Sequence, residues 1–171
     1  MILRAGLIAL VFMLCLSGCS TTKKSTVWKS DDIDFSDFKA FDIQPVSNAT
    51  GHFLSPEILS SLKANLKKEF EVKNLSLSKS RHAESDLLTV QSEILKYKFQ
   101  FFKGPPPPSG DIVGLCIVRT QLLKMPSNHI VAEIITVNQI DVGRGMLEPK
   151  KPESLLQDVA ATIVREIAKM M

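Results

Sequence analysis

Asp86-Leu87-Leu88-Thr89-Val90-Gln91-Ser92-Glu93-Ile94-Leu95-Lys96-Tyr97-Lys98-Phe99-Gln100-Phe101-Phe102 is the stretch on which the fold turns. Leu88, Val90 and Ile94 share one face at the two-residue period of a strand. From Leu95 onward the apolar residues are Leu95, Tyr97, Phe99 and Phe101, which fall on the opposite parity. Two arrangements satisfy this. A β-bulge near Ile94-Leu95 keeps the whole set on one side, with the lysines on the solvated side. Without a bulge, the second half turns its aromatics away from the core. Tyr97, Phe99, Phe101 and Phe102, interleaved with Lys96, Lys98 and Lys103, then form a candidate contact surface for a protein partner or lipid headgroups.

Downstream, Gly104-Pro105-Pro106-Pro107-Pro108-Ser109-Gly110 reads as a stiff loop, because consecutive prolines favour polyproline II. Residues 112–125 are apolar on both faces, which suits a central strand. Pro126-Ser127-Asn128 turns the chain, residues 129–142 return as another strand, and Gly143-Arg144-Gly145 ends it. A last helix follows Pro152, with Ser154 and Gln157 at capping-box spacing and Leu155, Leu156, Val159, Ile163, Ile167 and Met170 on its apolar side.

Upstream, Ser78 to Ser85 is a polar turn and Val72 to Leu77 a short expected strand. Before them Ser55-Pro56-Glu57 has the chemistry of a helix start. Ile58, Leu59, Leu62, Leu66 and Phe70 repeat at three- and four-residue intervals, predicting a helix over 56–70. Asn48 to Phe53 is a loop, and Phe38 to Val46 begins as a strand that Pro45 places at an edge or ends. The expected order is β-α-β-β-β-β-α. It describes an α+β two-layer sandwich: a mainly antiparallel sheet of about five strands, with both helices on one face.

The N-terminus is organised differently. Arg4 precedes an apolar run from Ala5 to Leu16, and Ser17-Gly18-Cys19 follows. The run is shorter than the roughly 20 residues that span a bilayer as a helix, and small residues after it suit peptidase cleavage. An ordinary signal peptide with a Cys at the cut would share most of these features. Leu16-Ser17-Gly18-Cys19 resembles the lipobox of bacterial lipoproteins. The resemblance implies cleavage between Gly18 and Cys19 and lipidation of Cys19. With no Asp at position 20, it further implies a periplasm-facing site on the outer membrane for a Gram-negative source. Residues 19–37, polar and then acidic, read as a lipidated N-terminus and flexible tether, and 38–171 as one domain. Lys23, Lys24, Trp28 and Lys29 of the tether are candidates for touching phospholipid headgroups.

Removal of residues 1–18 takes out Arg4 and leaves 20 basic against 18 acidic residues, a balance that gives no reason to expect a nucleic-acid partner. Cys15 leaves with the leader and Cys19 carries lipid. Cys116 stands alone in an apolar run, so the mature domain forms no internal disulfide. His52, His82 and His129 fall in no catalytic motif. Asp31, Asp32, Asp34 and Asp37 lack the Gly and distal Glu of a calcium loop. These patterns predict no enzyme, no cofactor and no metal.

The Lys39-Ala40-Phe41-Asp42-Ile43 strand, the first helix, the strand from Asp86 to Tyr97 and the Ala/Ile/Val-rich C-terminal helix together resemble an uncharacterised family of Gram-negative lipoproteins, domain of unknown function 4410, over about 38–170. Pro126-Ser127-Asn128-His129 stands where many of those sequences carry an Asp-x-x-Thr-Gly turn. The resemblance brings no catalytic residue. The expected function is a non-enzymatic binding or accessory protein of an envelope machine, held to the membrane by its lipid and engaging an envelope protein. The alternative is a periplasmic carrier of a lipid or small hydrophobic ligand.

Overall fold

The computed structural model describes residues 22–78, 86–103, 110–141 and 152–171, with backbone placement alone at 101–103, 110–112, 141 and 152. The leader, Gly18 and Cys19, the turn at 79–85 with His82, the proline loop at 104–109 and residues 142–151 lie outside the described residues.

Three long strands dominate: β4 (Leu87–Lys103), β5 (Gly110–Lys124) and β6 (His129–Asp141), joined as an antiparallel meander. Before them come β1 (Thr22–Lys29), a 3-10 turn at Phe35–Asp37, β2 (Ala40–Ile43), β3 (Ser47–Asn48) and helix α1 (Pro56–Val72). Helix α2 (Pro152–Met170) ends the chain. The sheet runs β1-β6-β5-β4-β2, with β3 also beside β4. β2 and β3 are parallel to their neighbour β4. Between β2 and β4 the chain crosses back through α1, so both strands start from the same end of the sheet. The class is the expected α+β sandwich, with six strands among the described residues where about five are expected.

The core fills the space between the helices and one sheet face. Leu62, Leu66 and Phe70 of α1 and Leu155, Val159, Ile163 and Ile167 of α2 meet Leu88, Val90, Ile94, Val118, Leu122 and Ile134, all fully buried. Each such side chain contributes about 1.5–3 kcal/mol relative to exposure. Phe41 of β2 packs edge-on against Phe70, ring centroids 5.0 Å apart.

Three expectations need correction. The tether over 19–37 is the first. Thr22–Lys29 is a strand, paired with β6 from Thr22↔Gln139 to Lys29↔Ala132, and Phe35 and Phe38 are buried in the core. Its polar sequence hid it, because β1 is held by backbone hydrogen bonds and polar clasps rather than an apolar face. Lys23 Nζ lies 2.7 Å from Asp158 Oδ1 of α2. Ser25 hydrogen-bonds the Glu166 carboxylate of the same helix. The folded unit therefore begins by Thr22, not near Phe38.

The second is the strand over 72–77. Helix α1 continues to Val72, and Asn74 takes a left-handed conformation, φ 55°. Leu75 N–H then bonds Phe70 O at 2.9 Å. What remains of the strand is one parallel bridge, Phe41↔Leu77. The third is the capping box: α2 starts at Pro152, so Ser154 lies within the helix. At Pro45 the expectation holds, since β2 ends at Ile43 and the chain pairs again only at Ser47.

Candidate functional site

The register of β4 slips between Ile94 and Lys96, which makes Leu95 the bulged residue. Leu88, Val90, Ser92 and Ile94 precede it on the helix side, and Tyr97 and Phe99 follow on that same side. Both rings are half-buried against the core and contact each other edge-on, centroids 5.5 Å apart. Burial pushes the Tyr97 phenol above its ordinary range. Of the candidate contact residues, Tyr97 and Phe99 thus take the bulged arrangement. Phe101 and Phe102 are placed only by backbone pairing, opposite Ile112 and Asp111.

Gly114 shows how tightly this end is fitted. A Cβ there would stand 2.5 Å from Phe99 Cε1 and 3.0 Å from Ile140 Cγ1. Gly114→Val is expected to cost about 1–3 kcal/mol through overpacking. In chemical denaturation, Phe99→Ala in the same chain should recover part of that loss, because it removes the nearer obstacle.

The helices cover one face of the sheet; the other carries a different surface. Leu115 and Ile117 of β5 and Ile135 and Val137 of β6 point away from the helix side and are half-buried among their strand neighbours. Lys24 of β1 pairs with Val137, while Lys96 and Lys98 of β4 pair with Ile117 and Leu115. The aliphatic centre is thus bordered by lysines along both sides. Towards the other end the frame is internally paired, by Arg119 with Glu93 and by Gln121 Nε2 donating to Glu133 Oε2 at 2.9 Å. Trp28, 54 % exposed, occupies the corner opposite Glu133. It borders a cleft of about 510 Å³ with Asn128, His129, Ile130 and Glu133. An apolar centre, a charged rim and an exposed Trp are the ingredients of a protein-contact surface. Trp28 and Lys29 accordingly sit at the sheet end away from Thr22, rather than in a tether.

The acidic run has structural duties. Asp34 caps the 3-10 turn, accepting from Ser36 N at 3.0 Å and Ser36 Oγ at 2.8 Å. Those bonds hold its carboxyl below the ordinary carboxylate range. Among the described residues no three His, Cys, Asp or Glu side chains are grouped to hold a metal. Cys116 is fully buried opposite Asn138, and burial pushes its thiol up to about 12. At neutral pH it is a packed hydrophobe rather than a nucleophile. His52 and His129 are both exposed, at separate corners. Among the described residues, no helix is long and apolar enough to cross a membrane.

No family model matches this chain. No curated protein matches it either. Solved structures are similar to it. A dodecameric variant of PelC from Paraburkholderia phytofirmans superposes with a TM-score of 0.54 at 9% identity, over 83% of this chain and 98% of that one. A DUF4136 family protein from Bacteroides thetaiotaomicron gives 0.46 at 9% identity, over 85% and 96%. Lipoprotein GNA1162 from Neisseria meningitidis gives 0.41 at 10% identity, over 76% and 98%. At such identities the likeness to PelC is one of fold alone.

Proposed function

We propose that this chain is an outer-membrane-anchored, periplasm-facing lipoprotein that acts as a non-enzymatic binding or accessory protein of an envelope machine. The anchor is Cys19, released by cleavage after Gly18, in the manner of the lipoprotein families that the sequence resembles. One structural observation carries the binding role: an aliphatic sheet face around Ile117 and Val137 that no helix covers among the described residues, rimmed by Lys24, Lys96 and Lys98 and cornered by Trp28. Partly exposed apolar surface of this kind is costly to leave in water and supports an interaction site. It supports a partner contact on the sheet rather than at Tyr97 and Phe99, which pack inward. The helix–sheet interface is filled by fully buried side chains, which favours surface binding over carriage of a lipid between the layers.

A photo-crosslinking residue at Ile117 or Val137, in cells, is expected to capture an envelope protein, and one at Lys73 on the far end of α1 is not. Equal capture from both positions would remove the sheet face from the reading. Cys19→Ser is expected to abolish fatty-acid incorporation and recovery with the outer membrane; retention of either would sink the anchor. PelC is dodecameric, which favours a second reading in which the partner is another copy of this chain. Crosslinks between identical chains would establish it. Native mass spectrometry separates both from a carrier, which would retain a ligand.

A further inference from the structure

We propose that the open edge of β4 beyond Ile94 takes an added strand from a partner, an extended segment in which acidic residues alternate with apolar ones. This edge is a different surface from the aliphatic sheet face, although Lys96 and Lys98 border both.

The first argument is an unfinished sheet. On one side of β4, β2 pairs from Leu87 to Val90 and β3 pairs at Glu93 and Ile94. The last backbone bond on that side, among the described residues, runs from Ala49 N–H to Ile94 O at 2.9 Å; the chain then leaves for α1. From Lys96 to Gln100, β4 continues with β5 as its one partner among the described residues. Alternate residues of such a strand aim their N–H and C=O groups at the open side, the template that strand addition uses.

The second argument is the space beside that edge. A cleft of about 380 Å³ lies between Leu95–Lys98 and the loop from β3 to α1, with Phe53 and Leu54 on its loop wall. The loop is held in shape. Asn48 Nδ2 donates to His52 O at 2.7 Å, His52 N–H donates to Thr50 Oγ1 at 3.1 Å, and Gly51 supplies the positive φ, 76°, that the turn requires. Phe53 is 87 % exposed, the most exposed large hydrophobic among the described residues. A ring already held at the wall of a cleft covers an incoming strand at little cost in ordering.

The third argument selects the occupant. A strand laid along β4 turns successive side chains to opposite faces. On the helix side they meet Tyr97 and Phe99, both half-buried. On the other side they meet Lys96 and Lys98, which enter no ion pair among the described residues. Apolar residues suit the first row and carboxylates the second. A second copy offering its own edge strand does not fit, because β1 carries Lys23, Lys24 and Lys29 and would set lysine beside lysine.

The test titrates the full chain against a fluorescent peptide, Val-Glu-Phe-Glu-Val-Glu-Val, read by anisotropy. Two controls have the same residues, one methylated at every amide nitrogen and one sorted into an acidic and an apolar block. Both are expected to bind roughly tenfold more weakly or worse. Hydrogen exchange should slow between Lys96 and Gln100 when the alternating peptide is bound. Phe53→Ser should weaken binding several-fold, and Lys96→Glu with Lys98→Glu should shift the preference to Val-Lys-Phe-Lys-Val-Lys-Val. The control peptides and the exchange map use the unaltered chain, so they decide the matter even where a variant unfolds. Equal binding of either control, an unchanged preference in the folded lysine variant, or slowing confined to β1 or to Leu115–Val118 would overturn the edge site. None of these readouts uses crosslinking from Ile117 or Val137, so the edge and the sheet face stand or fall separately.

Discussion

Phe70→Ala is expected to destabilise the domain by about 3–5 kcal/mol, the range for truncating a fully buried aromatic. Phe70 has no exposed surface and meets Phe41 edge-on at 5.0 Å. It also closes the last turns of α1, where its carbonyl accepts the Leu75 N–H. The side chain thus ties the helix to the short parallel strand β2, while the backbone carbonyl of the same residue holds the turn after it. Domains are commonly stable by only about 5–15 kcal/mol, so this variant should unfold at much lower urea with little change in the slope of the transition. A double-mutant cycle with Phe41→Leu should return a coupling of about 0.5–1.5 kcal/mol beyond area burial. A loss under about 1 kcal/mol for Phe70→Ala would mean that the end of α1 is not packed as described.

Glu166→Ala should act more locally and with a pH signature. The Glu166 side chain, 8 % exposed, accepts from Lys169 Nζ at 2.8 Å and from Arg165 at 3.1 Å, and it also bonds Ser25 of β1. Burial by itself would raise its pKa. The hydrogen bonds from Lys169, Arg165 and Ser25 outweigh that and hold the carboxyl below its ordinary 4.5. Because the folded value is the lower one, the unfolded chain takes up the proton first as pH falls. The stabilisation is complete above 4.5 and is lost as pH drops through the folded value. Lys169 and Arg165 are largely exposed, so solvent screening limits the loss in Glu166→Ala to about 1–3 kcal/mol. Hydrogen exchange should locate it: amides of Thr22–Lys29 speed up while those of β5 keep their protection. Glu166→Gln should remove the acid-dependent step in β1 exchange. Uniform acceleration across the sheet would show that the clasp belongs to the whole fold and not to β1.

The meander and both helices were legible because their apolar residues repeat at the period of the element that they form. Even the bulge was readable, from Ile94 and Leu95 standing side by side where alternation should place a polar residue. What escaped was held by other forces. β1 carries Lys23, Lys24, Ser25 and Thr26, a composition indistinguishable from a solvated linker, and its partners lie more than a hundred residues away. The six residues from Val72 to Leu77 read as a strand by composition, yet the helix stripe ending in Phe70 and the left-handed Asn74 shape them first. The open sheet face was half visible. Residues 112–118 are apolar at both parities, a pattern that predicts burial on both sides; among the described residues, helices cover only one. An apolar second face with no element to meet it was the signal for an interaction surface.

The pairing of β1 also decides how the domain would bear force. In the proposed attachment, the lipid pulls on the chain at Thr22, and the pull runs along β1, which is antiparallel to β6 over eight residue pairs. Tension in that direction is a shear. The backbone bonds between the two strands share the strain at once, whereas a pull across the sheet would open them one after another like a zip. The Lys23–Asp158 and Ser25–Glu166 contacts brace the same strand against α2. Against a partner tugging on the domain, the sheet edge would resist as a single unit.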